Sequence, residues 1–261
     1  MFSIHDVRGA SIRTQDGTIG AVDDVYFDDA RWIIRYLVVD TGTWLSGRKV
    51  LIAPEALERP DLVNRAFPVT LTKAQVVDSP EIATDKPVSR QQEERLHAHY
   101  GWSPYWGQGL IPGVPPTPLR QGPAYSGTAD PLSVPETGDV RAGDTSRDDA
   151  GGDPHLRSAR AVTGYYIKAA DGDIGHVEDF LADEDTWTVR YMIVDTRNWL
   201  PGRKVLVSPQ WIEDIRWADD SVRIDLTRAQ VKAAPEYDPA RPIDRAYEDR
   251  LFSFYGRAPY W

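Results

Sequence analysis

Two short runs carry the side chains best suited to grasping another molecule: Trp44-Leu45-Ser46-Gly47-Arg48-Lys49 and Trp199-Leu200-Pro201-Gly202-Arg203-Lys204. Each places an indole near a guanidinium and an ammonium across a glycine turn, and tryptophan with arginine is a favoured anchor combination at protein interfaces. The competing reading makes Trp44 and Trp199 plugs at the end of a core, with the basic residues paired to Asp40 and Asp195. Truncating a plug of that kind would cost roughly 2–4 kcal/mol. Two further candidates are Tyr105-Trp106 and Tyr260-Trp261, which close the segments Tyr100-Gly101-Trp102-Ser103-Pro104-Tyr105-Trp106 and Tyr255-Gly256-Arg257-Ala258-Pro259-Tyr260-Trp261. Such rings gain nothing by standing in water, so each segment is expected to pack on a sheet or helix face, with docking of an outside partner as the alternative.

Residues for catalysis are scarcer. His97 and His99 are two apart, and on a helix that spacing points them away from each other, so they do not form a metal pair. The acidic clusters Asp23-Asp24, Asp28-Asp29, Asp183-Glu184-Asp185 and Asp219-Asp220 lack the ligand spacing of a calcium loop and read as charged turn tips. With no cysteine there is no thiolate nucleophile, disulfide framework or cysteine-based zinc site. Neither a phosphate-cradling glycine loop nor a nucleophile motif stands anywhere in the chain. The expectation is a protein without a catalytic, metal or cofactor site, and not an enzyme.

Charge narrows the partners. The 261 residues hold 40 acidic against 30 basic side chains, a net charge of −10. A broad phosphate-binding surface needs clustered positive charge, so nucleic acid is disfavoured and a protein partner is expected. No run approaches the ~18 apolar residues of a membrane span, and Met1 to Arg8 lack the basic start of a secretory leader. The reading is a cytoplasmic protein. The abundance of Arg, Ala, Asp, Gly and Pro points to a bacterial genome rich in G and C.

The elements that must position these residues come in duplicate. At a constant offset of 155, Gly20-Ala21-Val22-Asp23-Asp24 is answered by Gly175-His176-Val177-Glu178-Asp179, and Gly47 to Leu51 by Gly202 to Leu206. Between Ser11–Pro54 and Tyr166–Pro209, 22 of 44 positions are identical without a gap. That is a duplication, so one fold should serve both copies. The domains are read as 1–107 and 158–261, joined by 108–157, a Pro-, Gly- and Asp-rich stretch too polar to build a core and expected to act as a flexible linker. Each copy is expected to fold as its own unit.

Within a copy, Asp16-Gly17 and Asp171-Gly172 are hairpin signals. Trp32 to Asp40 and Trp187 to Asp195 are rich in aromatic and β-branched residues, as a central strand requires. Phe67, Val69 and Leu71, and equally Val222, Ile224 and Leu226, alternate with polar neighbours. Five or six short strands in so small a unit shed their edges best by closing into an antiparallel barrel. A helix follows in each copy, with an apolar stripe of Val88, Leu96 and Tyr100 in one and Ile243, Tyr247, Leu251, Phe254 and Tyr255 in the other. Ser89 and Asp244 are its candidate N-caps, and Gly101 and Gly256 its stops. Duplicated surfaces of this kind also favour pairing of the two copies within the chain.

In Asp16-Gly17-Thr18-Ile19-Gly20, Tyr36-Leu37-Val38-Val39-Asp40-Thr41 and Trp44 to Pro54, with their counterparts Asp171 to Gly175, Tyr191 to Thr196 and Trp199 to Pro209, the sequence resembles the PRC-barrel domain family. That family takes its name from the cytoplasmic part of the photosynthetic reaction-centre H subunit and includes part of the ribosome maturation factor RimM. The resemblance implies a small, mostly antiparallel β-barrel in each copy and an interaction or assembly module with no shared catalytic residues. An RNA-associated ribosome-assembly factor is the alternative it raises.

Overall fold

The computed structural model describes residues 1–61, 63–80, 88–106, 155–196 and 203–261. In the first half the chain forms β1 (Phe2–Ser3), a helical turn α1 (Ile4–Val7), β2 (Ser11–Thr14), β3 (Gly17–Asp28), β4 (Ile33–Asp40), β5 (Lys49–Ile52) and β6 (Ala66–Pro68), then helices α2 (Lys73–Val77) and α3 (Arg90–Tyr100). The second half repeats this order as β7 (Leu156–Ser158), α4 (Ala159–Val162), β8 (Tyr166–Ala169), β9 (Gly172–Ala182), β10 (Val189–Asp195), β11 (Lys204–Val207), β13 (Ser221–Ile224), α5 (Arg228–Ala233) and α6 (Arg245–Tyr255), adding one strand, β12 (Ile212–Arg216). The molecule is mainly β, in two sheets with six helices among the described residues.

Local chemistry places these elements. Gly17, at φ 134°, closes the β2–β3 hairpin in a conformation that L side chains avoid. Strand β4 is buried on both faces in its middle: Leu37 and Val39 enter the main core, while Tyr36 and Val38 join a smaller cluster with Leu96 of α3. Ser89 caps α3 by accepting from the Gln92 amide while Gln92 reaches back to the Ser89 amide. Asp244 caps α6 by accepting from the Tyr247 amide at 2.7 Å. Gly101 and Gly256, both left-handed, end the two helices.

The halves are interlocked by an exchange of strands. β1 of the first half pairs with β9 of the second, and β7 of the second pairs with β3 of the first. Each arm then begins a helical turn that the opposite half caps. The Asp179 carboxylate accepts from the Ser3 hydroxyl and from the His5 amide at 3.1 Å. Its counterpart Asp24 accepts from the Ser158 hydroxyl and from the Arg160 amide at 3.1 Å. At the seam the Ile34 amide donates to the Trp187 carbonyl at 2.8 Å and the Val189 amide to the Trp32 carbonyl at 2.7 Å. Trp32 and Trp187 hold φ of 59° and 56°, a region bulky residues rarely occupy, and these reciprocal bonds fix them there. Phe27 and Phe180 meet across the seam with ring centroids 5.2 Å apart, and one apolar core runs through both halves.

Several expectations need correction. The described strands pair in the orders β5-β4-β3-β2-β6 and β11-β10-β9-β8-β13-β12, with no pairing that links the two ends of either order. In the second half the β11 edge is covered instead by the returning chain, through a bridge from Val205 to Glu236 and the Tyr237 amide on the Lys204 carbonyl. The sheets are not wholly antiparallel. β2–β6 and β8–β13 run parallel, because the chain crosses through the Pro54–Ala56 and Pro209–Trp211 turns before returning. β7 starts at Leu156, inside the stretch assigned to the 108–157 linker, because Leu156 and Arg157 pair with Asp28 and Phe27. The rest of that stretch, up to residue 154, lies outside the described residues. On α6 Phe252 is buried beside Leu251 and Tyr255, while Phe254 is 41% exposed. Asp24 and Asp28 are buried ligands of neighbouring groups in β3, not turn tips. No helix among the described residues is long and apolar enough to cross a membrane.

Candidate functional site

Trp44 lies on the helical turn Gly42–Leu45, which contributes no buried residue, and is 37% exposed. The Lys73 ammonium stands 5.7 Å from its ring centre. Trp44 is thus partly exposed at this turn and is not buried as a plug would be. Trp44→Ala should cost about 1 kcal/mol, less than a fully packed indole, because more than a third of the side chain is exposed. Thermal melting of the variant checks this. Trp199 lies outside the described residues.

The basic residues beside it are used inside the fold. Arg48 donates to the carbonyl of Val77 at 3.1 Å, to the Ser79 hydroxyl at 2.9 Å and to the Ser79 carbonyl. Arg203 does the same with the carbonyls of Lys232, at 2.7 Å, and Ala234. Each guanidinium thus satisfies the orphan carbonyls at the C-terminal end of α2 or α5, where positive charge is favoured. Lys49 pairs with Asp23 at 2.8 Å and Lys204 with Glu178 at 2.5 Å, rather than with Asp40 and Asp195. Asp23 also receives Arg160 from the other half.

The two aromatic segments turn back on their helices. After Gly101, the Trp102 amide bonds the His97 carbonyl at 2.9 Å, and the Tyr105 hydroxyl donates to Glu93 Oε1 at 2.5 Å. The same oxygen accepts from Tyr36 at 2.9 Å. In the second half Glu248 Oε1 accepts from Tyr191 at 2.8 Å and Tyr260 at 2.7 Å. Arg90 pairs with Glu93 at 2.8 Å and Arg245 with Glu248 at 3.3 Å. Guanidiniums lie over the rings: Arg35 is 3.8 Å from the centre of Tyr105 and Arg190 is 4.4 Å from that of Tyr260. Arg90 is 4.5 Å from Trp106 and Arg245 is 3.8 Å from Trp261. Burial, then the charge of the adjacent glutamate, drives the Tyr36 and Tyr105 phenols far above their ordinary range, so both remain donors. Tyr260 is pushed up to about 12 by burial and by its bond to Glu248.

Tyr105 and Tyr260 therefore act as internal anchors, while Trp261 remains 45% exposed. Sequence reasoning missed Tyr36, Glu93, Tyr191 and Glu248, the centre of this arrangement. A signal existed: a carboxylate kept by the duplication on the buried side of each helix, three residues before the leucine of the stripe, needs a buried partner. His97 belongs to the cluster too, 2.9 Å from the Tyr36 hydroxyl, while His99 turns away to the Gln75 carbonyl.

Each of the two β-sheets is followed by a capped helix that folds an aromatic segment back on the strands. Residues 1–76, from β1 into α2, match the PRC-barrel domain family. No curated protein matches the chain.

Proposed function

We propose that this chain is a non-enzymatic interaction or assembly module built from two PRC-barrel-like copies, holding a protein partner through exposed indoles. The observation that carries the reading is the contrast at one turn: Arg48 and Lys49 are bound within the fold, while Trp44 beside them faces outward under the Lys73 ammonium. An exposed indole beside a cation is the chemistry of an interface anchor. Trp261, covered on one side by Arg245, offers a second such ring. The family match over residues 1–76 supports the same reading.

The test places a photo-crosslinking amino acid at position 44 or 261 of the full chain in its native host, with Tyr166 as an exposed control position. The expected result is a discrete protein adduct from 44 or 261, absent from 166, with capture of the same protein weakened by Trp44→Ala or Trp261→Ala at unchanged melting temperature. Adducts to RNA, lost steeply as salt rises, would replace this reading with a nucleic-acid one.

A further inference from the structure

On the helix beside each Tyr–Glu–Tyr anchor the first half has His97 where the second has Phe252, and in the segments that follow Trp102 and Ser103 answer to Arg257 and Ala258. His97 is 5% exposed and uses both ring nitrogens. Nε2 lies 2.9 Å from the Tyr36 hydroxyl on β4, and Nδ1 lies 3.2 Å from the Ser103 carbonyl in the aromatic segment. The ring thus ties a core strand to the segment that packs over it. Trp102, Tyr105 and Trp106 surround it at 5.7, 6.0 and 4.7 Å. A carbonyl can only accept, so Nδ1 carries a proton, and in the neutral ring Nε2 is an acceptor that competes with Glu93 Oε1 for the single Tyr36 proton.

The charges around this ring are already matched. On its own helix, Arg90 pairs with Glu93 at 2.8 Å. On β4, Arg35 pairs at 2.8 Å with Asp28 from the end of β3. The aromatic segment brings only the Tyr105 hydroxyl, which donates to Glu93. Burial raises the Glu55 carboxyl above its usual range, against the pull of the Arg35 charge. A second proton on His97 adds a positive charge beside two guanidiniums whose close carboxylates are taken, in a site closed to water. In the second half Phe252 occupies the same place against Tyr260 and Trp261, and no proton can enter there.

We propose that His97 makes the seating of Trp102–Trp106 acid-sensitive, so that protonation loosens this segment from α3 and β4 while Arg257–Trp261 stays in place. Loosening uncovers three aromatic rings in one half only, a binding surface that the second half cannot offer. Burial, above all, holds His97 below the ordinary imidazole range, with Arg90 and Arg35 acting in the same direction against its bonds to the Ser103 and Trp102 carbonyls. The neutral ring is therefore the seated form. Its contribution is complete above the ordinary imidazole value of 6.5 and declines as pH falls below it.

The experiment is hydrogen exchange on the full chain at pH 7.5 and 5.0, corrected for the intrinsic rate, comparing residues 102–106 with 257–261. Protection of 102–106 is expected to drop several-fold at pH 5.0 while 257–261 keeps its protection. His97→Phe should flatten the response, and Phe252→His should give the second segment an acid response of its own. The reciprocal variant keeps the test open if His97→Phe folds poorly. A wild-type chain whose two segments respond alike, or a His97→Phe chain that still responds to acid, overturns the proposal.

Discussion

Deleting Met1–Val7 should unfold the second half of the chain before the first. Phe2, Ile4 and Val7 are all buried, and β1 lies on β9 at Leu181 and Ala182, strand residues that belong to the other copy. Burial of each such side chain contributes about 1.5–3 kcal/mol, so the arm as a whole is worth on the order of 5 kcal/mol. That is comparable with the entire stability of a small domain. The deletion also strips Asp179 of the Ser3 hydroxyl and His5 amide. Burial already pushes that carboxyl above its usual range, against the pull of those two donors, and a buried carboxylate left without them is costly. Hydrogen exchange should show the loss first in β9 and β10, with β3 and β4 following. Loss confined to β2 and β3 would mean that the arm serves its own half. Ser3→Ala, which removes one bond from the same carboxylate, should repeat the pattern at smaller amplitude.

The same exchange explains how much of the fold could be read from residues alone. The duplication, the Asp16-Gly17 hairpin, both helix caps and both glycine stops rest on chemistry within a few residues of each other, and local chemistry is visible in order along the chain. The arms are not local. Phe2 to Val7 and Leu156 to Val162 carry the apolar spacing of ordinary edge elements, and nothing in that spacing says which copy they join. Asp24 shows the limit most clearly. Next to Asp23 it looks like half of a solvated acidic pair, yet it lies inside β3 and caps a helical turn 136 residues away in the chain. Trp44 shows the opposite error, a large ring credited with burial that lies on a turn without a buried residue. The candidate site was legible in its residue types, but the use of Arg48 and Arg203 to cap α2 and α5 depends on where those helices end in space. Nor does the division of the chain into halves reveal that each sheet takes one strand from the other half.

Gly175→Ala should be severely destabilising for the addition of a single methyl group. At φ 118° this residue occupies a region that L side chains avoid, and a Cβ built there would stand 2.1 Å from the Asp195 carbonyl oxygen. The obstacle is backbone: β9 passes over the end of β10 at this point, and the register between them shifts between Ile193 and Val194. Relief would require β9 and β10 to separate where Val177 and Val194 pair in the buried core. Gly20 meets the Asp40 carbonyl oxygen at the same 2.1 Å, so the constraint belongs to the fold of each half rather than to one accident of packing. Left-handed backbone alone costs an alanine about 1–2 kcal/mol, and overpacking in a tight interior adds about 1–3 kcal/mol. The expected loss is therefore on the order of 4 kcal/mol. Gly256→Ala is the control. Its φ of 62° carries the conformational penalty, but nothing lies within 4 Å of the added methyl, so it should lose only about 1–2 kcal/mol. Chemical denaturation of the two variants separates the contributions. If Gly175→Ala proves no worse than Gly256→Ala, the close approach of β9 to the Asp195 carbonyl does not constrain this fold.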